Sequence, residues 1–238
     1  SDVCSSDLVK IVAYRIVSIA RYKASLIDFE SLIGIESESM RQHMASLEEG
    51  AIFRDYGITN LLEGDFFSWY TTKDQWTEEI AARISDVFKM LSMYSDKAVL
   101  NTGANSADFF KELYQGMIPA AVRHSLGEYY TKRWLARQVV EDAIEQVSMT
   151  GWKGLDPCCG SGTFITVMID KVLEEVKDKA PREQLHEVLS RVKGIDLNPV
   201  ASLTARVNYF INIVYIFFQS RNKTFLDTFC NCVSNNCL

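Results

Sequence analysis

One feature constrains the fold of this chain more than any other, a glycine-rich turn between a predicted strand and a predicted helix. The strand spans residues 152–156 and ends in Asp156, and the turn over residues 157–162 reads Pro-Cys-Cys-Gly-Ser-Gly. Glycines in such a turn let the backbone bend sharply and approach a ligand with no Cβ in the way. The helix predicted from Thr163 directs its unpaired N–H groups toward that ligand.

A second predicted strand has the same ending as the first. It spans residues 192–196, ends in Asp196 and leads into a helix predicted to start near Val200. These elements follow one another as a strand, a glycine turn, a helix, a second strand and an acid. This order is typical of one half of a doubly wound α/β sheet. In this topology a carboxylate at the end of the second strand is where the hydroxyls of a ribose are held.

Phosphate-binding versions of this turn are excluded by the residues that they require. A P-loop has a lysine after its last glycine, where this chain has Thr163 and Phe164. A dinucleotide site has a third glycine, where this chain has Ile165. Acids beside the turn suit a ligand with a ribose and an amino-acid moiety but no phosphates. That description fits S-adenosylmethionine.

Three segments, in the same order along the chain, resemble motifs of the DNA amino-methyltransferases that make N6-methyladenine or N4-methylcytosine. Residues 156–164 are similar to their cofactor-binding motif, residues 126–131 to the segment that closes over the methionine part of the cofactor, and residues 193–199 to the strand whose acid holds the ribose. The resemblance covers about residues 113–214. It is greatest to the large adenine-specific methylases of restriction–modification systems, including forms fused to an endonuclease.

The resemblance implies a set of contacts with S-adenosylmethionine and no metal. Tyr130 and Thr131 would contact the methionine moiety, and Asp196 would bind the ribose. The residues that would shape the pocket or pack beside it are Asp156, Pro157, Gly160, Gly162 and Phe164. We interpret Cys158 and Cys159 as small packing residues, because the sequence offers no neighbouring base that would activate a thiol.

The catalytic motif of this family is missing from the sequence. It is an Asp, Asn or Ser followed by Pro-Pro and an aromatic residue, and it holds the target amine of a flipped-out base. The four prolines stand at positions 119, 157, 181 and 199, so no two are adjacent. We therefore assign no catalytic residue and expect an incomplete, inactive piece of an adenine-N6 DNA methyltransferase. The alternatives are a non-catalytic cofactor- or partner-binding module, such as a decayed subunit, and a fragment of an N4-cytosine DNA methyltransferase.

The predicted fold class is α/β, with an incomplete Rossmann-like core of the S-adenosylmethionine-dependent methyltransferase type after a mostly helical region. Residues 1–8 resemble a non-native junction, since they lack an initiating Met. The helical region spans residues 9–122, the partial cofactor-binding domain 123–214, and an aberrant or truncated tail 215–238.

Hydrophobic periodicity predicts individual helices in both regions. In the helical region one helix spans about residues 73–93, and a second starts at Ser106. In the partial domain a helix over about residues 132–147 carries Leu135 and Val139 on its apolar face, together with Val140 and Ile144. Pro181 is expected to interrupt the chain between two further helical stretches.

Composition limits the partners and the compartment. The net charge is −6, so the chain as a whole is not a polybasic nucleic-acid wrapper. The apolar stretch over residues 207–218 has twelve residues, two of them Asn. Since a spanning helix needs about 18 or more, we expect no membrane segment and a cytoplasmic protein. The partner expected for the intact parent is double-stranded DNA, with restriction or specificity modules as further partners.

The cysteines are interpreted as free thiols. Cys230, Cys232 and Cys237 offer only three thiolates, and no His follows His186. A tetrahedral zinc site needs a fourth ligand, so zinc is not expected.

Overall fold

The structure, a computed structural model, describes most but not all of the chain. The described residues are 9–18, 27–55, 58, 61, 68–93, 131–147, 149–220 and 233–234. The helix predicted to start at Ser106, the segment that contains Tyr130, and the cysteines after residue 229 lie outside the described residues.

The described part before residue 94 consists of helices. Helix α1 comprises residues 9–18 and is followed by α2 (Ile27–Glu30), α3 (Ser37–Glu48), α4 (Ala51–Asp55), a 3-10 turn (Ser68–Thr71) and α5 (Glu78–Ser92). The helix predicted over about residues 73–93 is confirmed by α5, whose buried residues Ala81, Ile84, Phe88 and Leu91 recur at spacings of three and four. The helix begins later than predicted because Thr77 caps it, its side chain accepting the N–H of Ile80.

The described part after residue 130 alternates helices with short strands. Its elements are α6 (Arg133–Val147), β1 (Gly154–Asp156), α7 (Thr163–Glu175), α8 (Pro181–Arg191), β2 (Val192–Ile195), α9 (Pro199–Ser220) and β3 (Val233–Ser234). Strands β1 and β2 pair in parallel, with Asp156 opposite Gly194, and β3 pairs in parallel with the other side of β2. The described residues therefore form a mostly helical structure around a small parallel sheet.

Helix α7 packs very closely on the sheet because two strand residues facing it are glycines. A Cβ added to Gly194 would overlap the side chain of Ile165, and one added to Gly154 would overlap the sulfur of Met168. The close contact fixes the start of α7 relative to the ends of β1 and β2. It is at this start that the glycine-rich turn lies.

Helix α6 shows that the predicted apolar face was partly wrong. The structure buries Ala136 and Val140 but leaves Leu135 and Val139 42% and 47% exposed. The physical reason is an ion-pair network that orients the helix. Arg133 pairs with Asp170 on α7, and other charged residues of the two helices extend the network.

The longest apolar run of the chain lies in α9, against which α7 and α8 pack. Six apolar side chains described within the run are buried: Val207, Tyr209, Phe210, Ile211, Ile213 and Val214. The hydroxyl of Tyr209 donates to the carbonyl of Val188 on α8, at 3.0 Å. Within the described parts of the chain, no helix combines the length and the apolar character needed to cross a bilayer.

Candidate functional site

The two acids singled out in the sequence lie at the same edge of the sheet. Asp156 is the last residue of β1, and Asp196 directly follows β2. Because the strands are parallel, both carboxylates lie at the carboxyl end of the sheet, where ligands bind in open α/β folds. The glycine turn, residues 157–162, begins at this edge and ends at the start of α7.

Asp196 holds the glycine turn through its carboxylate. Its Oδ2 accepts the backbone N–H of Gly160 at 2.7 Å, and its Oδ1 accepts the N–H of Asn198 at 2.8 Å. A carboxylate offers about four acceptor positions, so about two remain for hydroxyl groups of a ligand. Asp196 can therefore shape the turn and bind a ligand at the same time.

Two further hydrogen bonds tie the glycine turn to the chain that follows β2. The N–H of Cys159 donates to the carbonyl of Ile195 at 2.9 Å. The side-chain Nδ2 of Asn208, on α9, donates to the carbonyl of Ser161 at 2.7 Å.

Gly162 completes this set by close packing. A Cβ built on Gly162 would lie 3.4 Å from the Cα and Cβ of Ala205 on α9. Residues 159–162 are thus held, one after another, by residues from a single segment of the chain. We call that segment, residues 195–208, the buttress.

Most N–H groups of the glycine turn already have acceptors within the protein. Besides the bonds to the buttress, the N–H of Cys158 donates to Asp156 Oδ1 at 3.2 Å, and the N–H of Gly162 donates to the carbonyl of Cys159 at 2.8 Å. Phosphate-binding loops need these N–H groups free for the ligand. With two carboxylates beside it, the turn disfavours anionic ligands.

The carboxyl group of Asp156 is in an environment that favours a cationic ligand. Burial raises its pKa, the hydrogen bond from the N–H of Cys158 lowers it, and the charge of Asp196 raises it further. The net effect is a pKa above the ordinary value, because the ionised form is partly desolvated beside another acid. A cation bound nearby would relieve both unfavourable effects.

The backbone at Gly160 is open to a ligand. Its φ is +53°, a conformation that favours glycine, and a Cβ added there would meet no atom within 4 Å. Gly162 has a φ of +93° but has Ala205 against it. Of the two glycines, Gly160 is the one beside free space.

The other predicted site residues are distributed around this core. Phe164 is half-buried and packs against the hydrophobic core, whereas Pro157 is exposed. Thr131 is half-buried and lies two residues before Arg133, whose guanidinium donates to Thr166 Oγ1 at 3.1 Å. The segment that carries Thr131 is therefore tied to the first turn of α7. Tyr130 lies outside the described residues.

The two cysteines of the turn differ from each other. Cys159 is buried, as expected for a packing residue, and burial, followed by the charges of Asp196 and Asp156, raises the pKa of its thiol. Cys158 is exposed, so its interpretation as a packing residue was wrong. Its side chain is left outside because its N–H turns inward to Asp156.

Two asparagines act in the site although the sequence analysis did not select them. Asn198 caps α9, its Oδ1 accepting the N–H of Val200 at 2.9 Å. Asn208 bonds to Ser161 from within the apolar run of α9. The signal for Asn208 was its polarity among apolar neighbours. Across the described segments, no group of three or more His, Cys, Asp or Glu side chains could hold a metal ion.

Comparison with known proteins places this site within a family. The sequence model of the N-6 DNA methylase family matches residues 105–231. The match includes β1, the glycine turn, β2 and the buttress. No curated protein and no solved structure matches the chain. Since the family match covers 127 of the 238 residues, the chain belongs to the N-6 DNA methylase family.

Proposed function

We propose that the glycine turn and its two acids bind S-adenosylmethionine, and that the chain is the cofactor-binding part of an adenine-specific DNA methyltransferase of a restriction–modification system. Membership of the N-6 DNA methylase family indicates DNA methyltransferase activity in general, and the family generally uses S-adenosylmethionine. One observation carries the cofactor proposal. The N–H groups of the turn bond to Asp156, to Asp196 and to backbone carbonyls, which leaves them unsuited to phosphates.

The donors and acceptors at the site fit this cofactor. The remaining acceptor positions of Asp196 would take the ribose hydroxyls, and the carboxylate of Asp156 would face the ammonium group of the amino-acid end. The open backbone at Gly160 allows close approach. Further proposed contacts, from the resemblance, are Tyr130, Thr131, Pro157, Gly162 and Phe164. Bound S-adenosylmethionine supplies an activated methyl group on a sulfonium.

The fold proposed around this site is the Rossmann-like methyltransferase core. Parallel β1 and β2, joined through the glycine turn, α7 and α8, would be one unit of such a core, and their parallel pairing supports this proposal. DNA is the proposed macromolecular partner, and restriction or specificity modules are further proposed partners.

Methyl transfer needs more than cofactor binding. The N6 amine of adenine is a weak nucleophile, so it must be held close to the methyl group by acceptors that restore its lone pair. The family supplies these acceptors through its Pro-Pro motif, and no adjacent prolines occur in this sequence. We therefore propose that this chain alone binds the cofactor without methylating DNA. The same observation favours the second candidate, a non-catalytic cofactor-binding module.

Calorimetric titration of the full chain tests the cofactor proposal. The chain should bind S-adenosylmethionine and its demethylated product, S-adenosylhomocysteine, more tightly than it binds NAD or ATP. The demethylated product lacks the sulfonium charge, so a difference between the first two ligands measures that charge. Tighter binding of NAD or ATP would contradict the proposal.

A further inference from the structure

Helix α9 carries a polar side chain where its neighbours are apolar. Asn208 is 2% exposed, and the residues on either side of it, Val207 and Tyr209, are buried too. Its Nδ2 donates to the carbonyl of Ser161, 47 residues earlier in the chain. Its Oδ1 is buried with no hydrogen-bond partner among the residues that the structure describes.

This arrangement is a poor way to stabilise a helix. An acceptor buried without a donor destabilises the folded state, and an apolar side chain at this position would carry no such acceptor. The amide is therefore explained by the one bond that it does make. That bond fixes a carbonyl in the middle of the glycine turn.

The peptide group that Asn208 fixes has a glycine on one side. It joins Ser161 to Gly162, whose φ is +93°, and it follows Gly160, whose φ is +53°. Its carbonyl accepts from Asn208, and its N–H donates to the carbonyl of Cys159 at 2.8 Å. A flip of this peptide would break both bonds. The Asn208 amide thus selects one orientation out of those that glycine permits.

We infer that Asn208 is a positioning residue for the cofactor: it acts through the Ser161–Gly162 peptide to hold the backbone of Gly160 in the shape that receives the ligand. The inference rests on the proposed function, because it assumes that the glycine turn binds S-adenosylmethionine. Asn208 itself is buried beneath the turn and acts without contact with the ligand.

The test measures affinity for S-adenosylhomocysteine and thermal stability on the same full-chain variants. Asn208→Leu keeps the number and branching of the side-chain heavy atoms but removes both the donor and the orphan acceptor, and Asn208→Ala removes them while leaving a cavity. Both should bind the ligand about tenfold more weakly, the loss expected for one buried hydrogen bond. Asn208→Leu exchanges one unpaired buried acceptor, its own Oδ1, for another, the carbonyl of Ser161, so its melting temperature should nevertheless stay close to that of the wild type. If Asn208 had only a structural role, its variants would lose affinity only to the extent that they lose thermal stability.

Asn212→Leu is the matched control. Asn212 lies one turn further along α9, and its Nδ2 donates to the backbone carbonyl of Asn208 within the helix, at 2.7 Å, instead of to the glycine turn. This variant should bind the ligand as the wild type does.

Several outcomes would overturn the inference. Wild-type affinity in both Asn208 variants would make Asn208 a packing residue, and loss of folding in both would make it a stability residue. Equal loss of affinity in Asn212→Leu would reveal a general disturbance of α9. If the wild-type chain binds no S-adenosylhomocysteine, the proposed function fails and the inference fails with it. That failure can be distinguished from the others because it is seen with the wild-type chain alone, before any variant is measured.

Discussion

The carboxylate of Asp196 accepts the backbone N–H of Gly160 across 36 positions of sequence, at 2.7 Å. An acid expected only to hold a ribose therefore also shapes the turn that would hold the rest of the cofactor. Asp196 links the ends of both strands at the candidate site. Its removal should weaken binding because the ribose loses its acceptors and because the glycine turn loses a support.

Replacing Asp196 with Asn should weaken binding of S-adenosylhomocysteine by about 1.5–3 kcal/mol, the range for hydrogen bonds to a charged group. The new amide NH₂ would face one of the two N–H donors that the carboxylate now accepts, from Gly160 or Asn198. Calorimetric titration measures the loss. Asp178→Asn, at an exposed acid after α7, is the control and should leave affinity unchanged. Unchanged affinity in Asp196→Asn would remove this residue from the site.

Changing each of two glycines to alanine separates the effect of backbone strain on stability from the effect of a new side chain on ligand binding. Gly160 and Gly151 have φ angles of +53° and +72°, and a Cβ on either would meet no atom within 4 Å. Each change to Ala should cost about 1–2 kcal/mol of unfolding free energy, measured by urea denaturation. Only Gly160→Ala should also weaken cofactor binding, because only its Cβ would occupy the proposed ligand space. Equal affinities in the two variants would show that the space at Gly160 is not the binding site.

A buried arginine makes one of two adjacent glutamates important for stability. The side chain of Arg191 is 2% exposed, and its guanidinium bonds to Glu175 at 2.6 Å and to the carbonyl of Trp152 at 2.7 Å. Glu175→Gln should lower the unfolding free energy by about 2 kcal/mol, because it removes the closer of the two carboxylates that pair with this buried cation and leaves only Glu187, at 3.6 Å. Glu174→Gln removes a more exposed charge and should cost about 0.5 kcal/mol or less.

The difference between wild type and Glu175→Gln should depend on pH. The hydrogen bond from Arg191 lowers the pKa of Glu175 in the folded protein. The stabilisation is therefore fully present above the ordinary pKa of a glutamate and is lost as pH falls through the lowered value. Urea denaturation at neutral and at acid pH measures the change. A constant difference across that range would contradict the assignment of the ion pair.

Affinity for S-adenosylmethionine should fall as pH is lowered through the raised pKa of Asp156. Burial is the main cause of that raised pKa, and a cationic ligand favours the ionised form, so binding releases a proton. The stability of the free protein should respond in the opposite sense, since protonation removes a partly buried charge. Titrations from the ordinary pKa of an aspartate, about 4, up to neutral pH measure the first effect. Asp156→Asn should flatten the pH dependence, and an equally steep profile in that variant would assign it to another group.

The chain should not methylate DNA by itself. Purified chain incubated with tritium-labelled S-adenosylmethionine and mixed-sequence DNA should incorporate no label above a blank without DNA, because the sequence has no adjacent prolines to form the family's catalytic motif. A methylase with the complete motif serves as the positive control. Label in the DNA would mean that the acceptors for the amine lie elsewhere in this chain.

Local signals in the sequence were enough to predict β1, β2, the turn and α7, whereas β3 was not predicted. The closely spaced glycines that mark the turn, Gly160 and Gly162, do have positive φ angles. Pro181 was expected to interrupt the chain. The chain does leave the helical conformation between α7 and α8, and Pro181 is the first residue of α8, where its missing N–H costs nothing.

What the sequence could not reveal depends on residues far apart in the chain. The orientation of α6 follows from the pairing of Arg133 with Asp170, 37 positions away, and periodicity cannot register such a pairing. The role of Asn208 depends on a carbonyl 47 positions earlier. Asp196 likewise accepts the N–H of Gly160, 36 positions earlier in the chain. In each case a side chain is fixed by a partner that only the folded chain brings near.

The contact between the glycine turn and the buttress has a consequence for recombining this protein with its relatives. Residues 159–162 and 195–208 form one structural unit, although α7, α8 and β2 separate them in the sequence. A chimera that takes the turn from one parent and the start of α9 from another would combine a turn with buttress residues that evolved with a different turn. Crossover points that keep both stretches from the same parent should give folded, ligand-binding hybrids far more often than points between them.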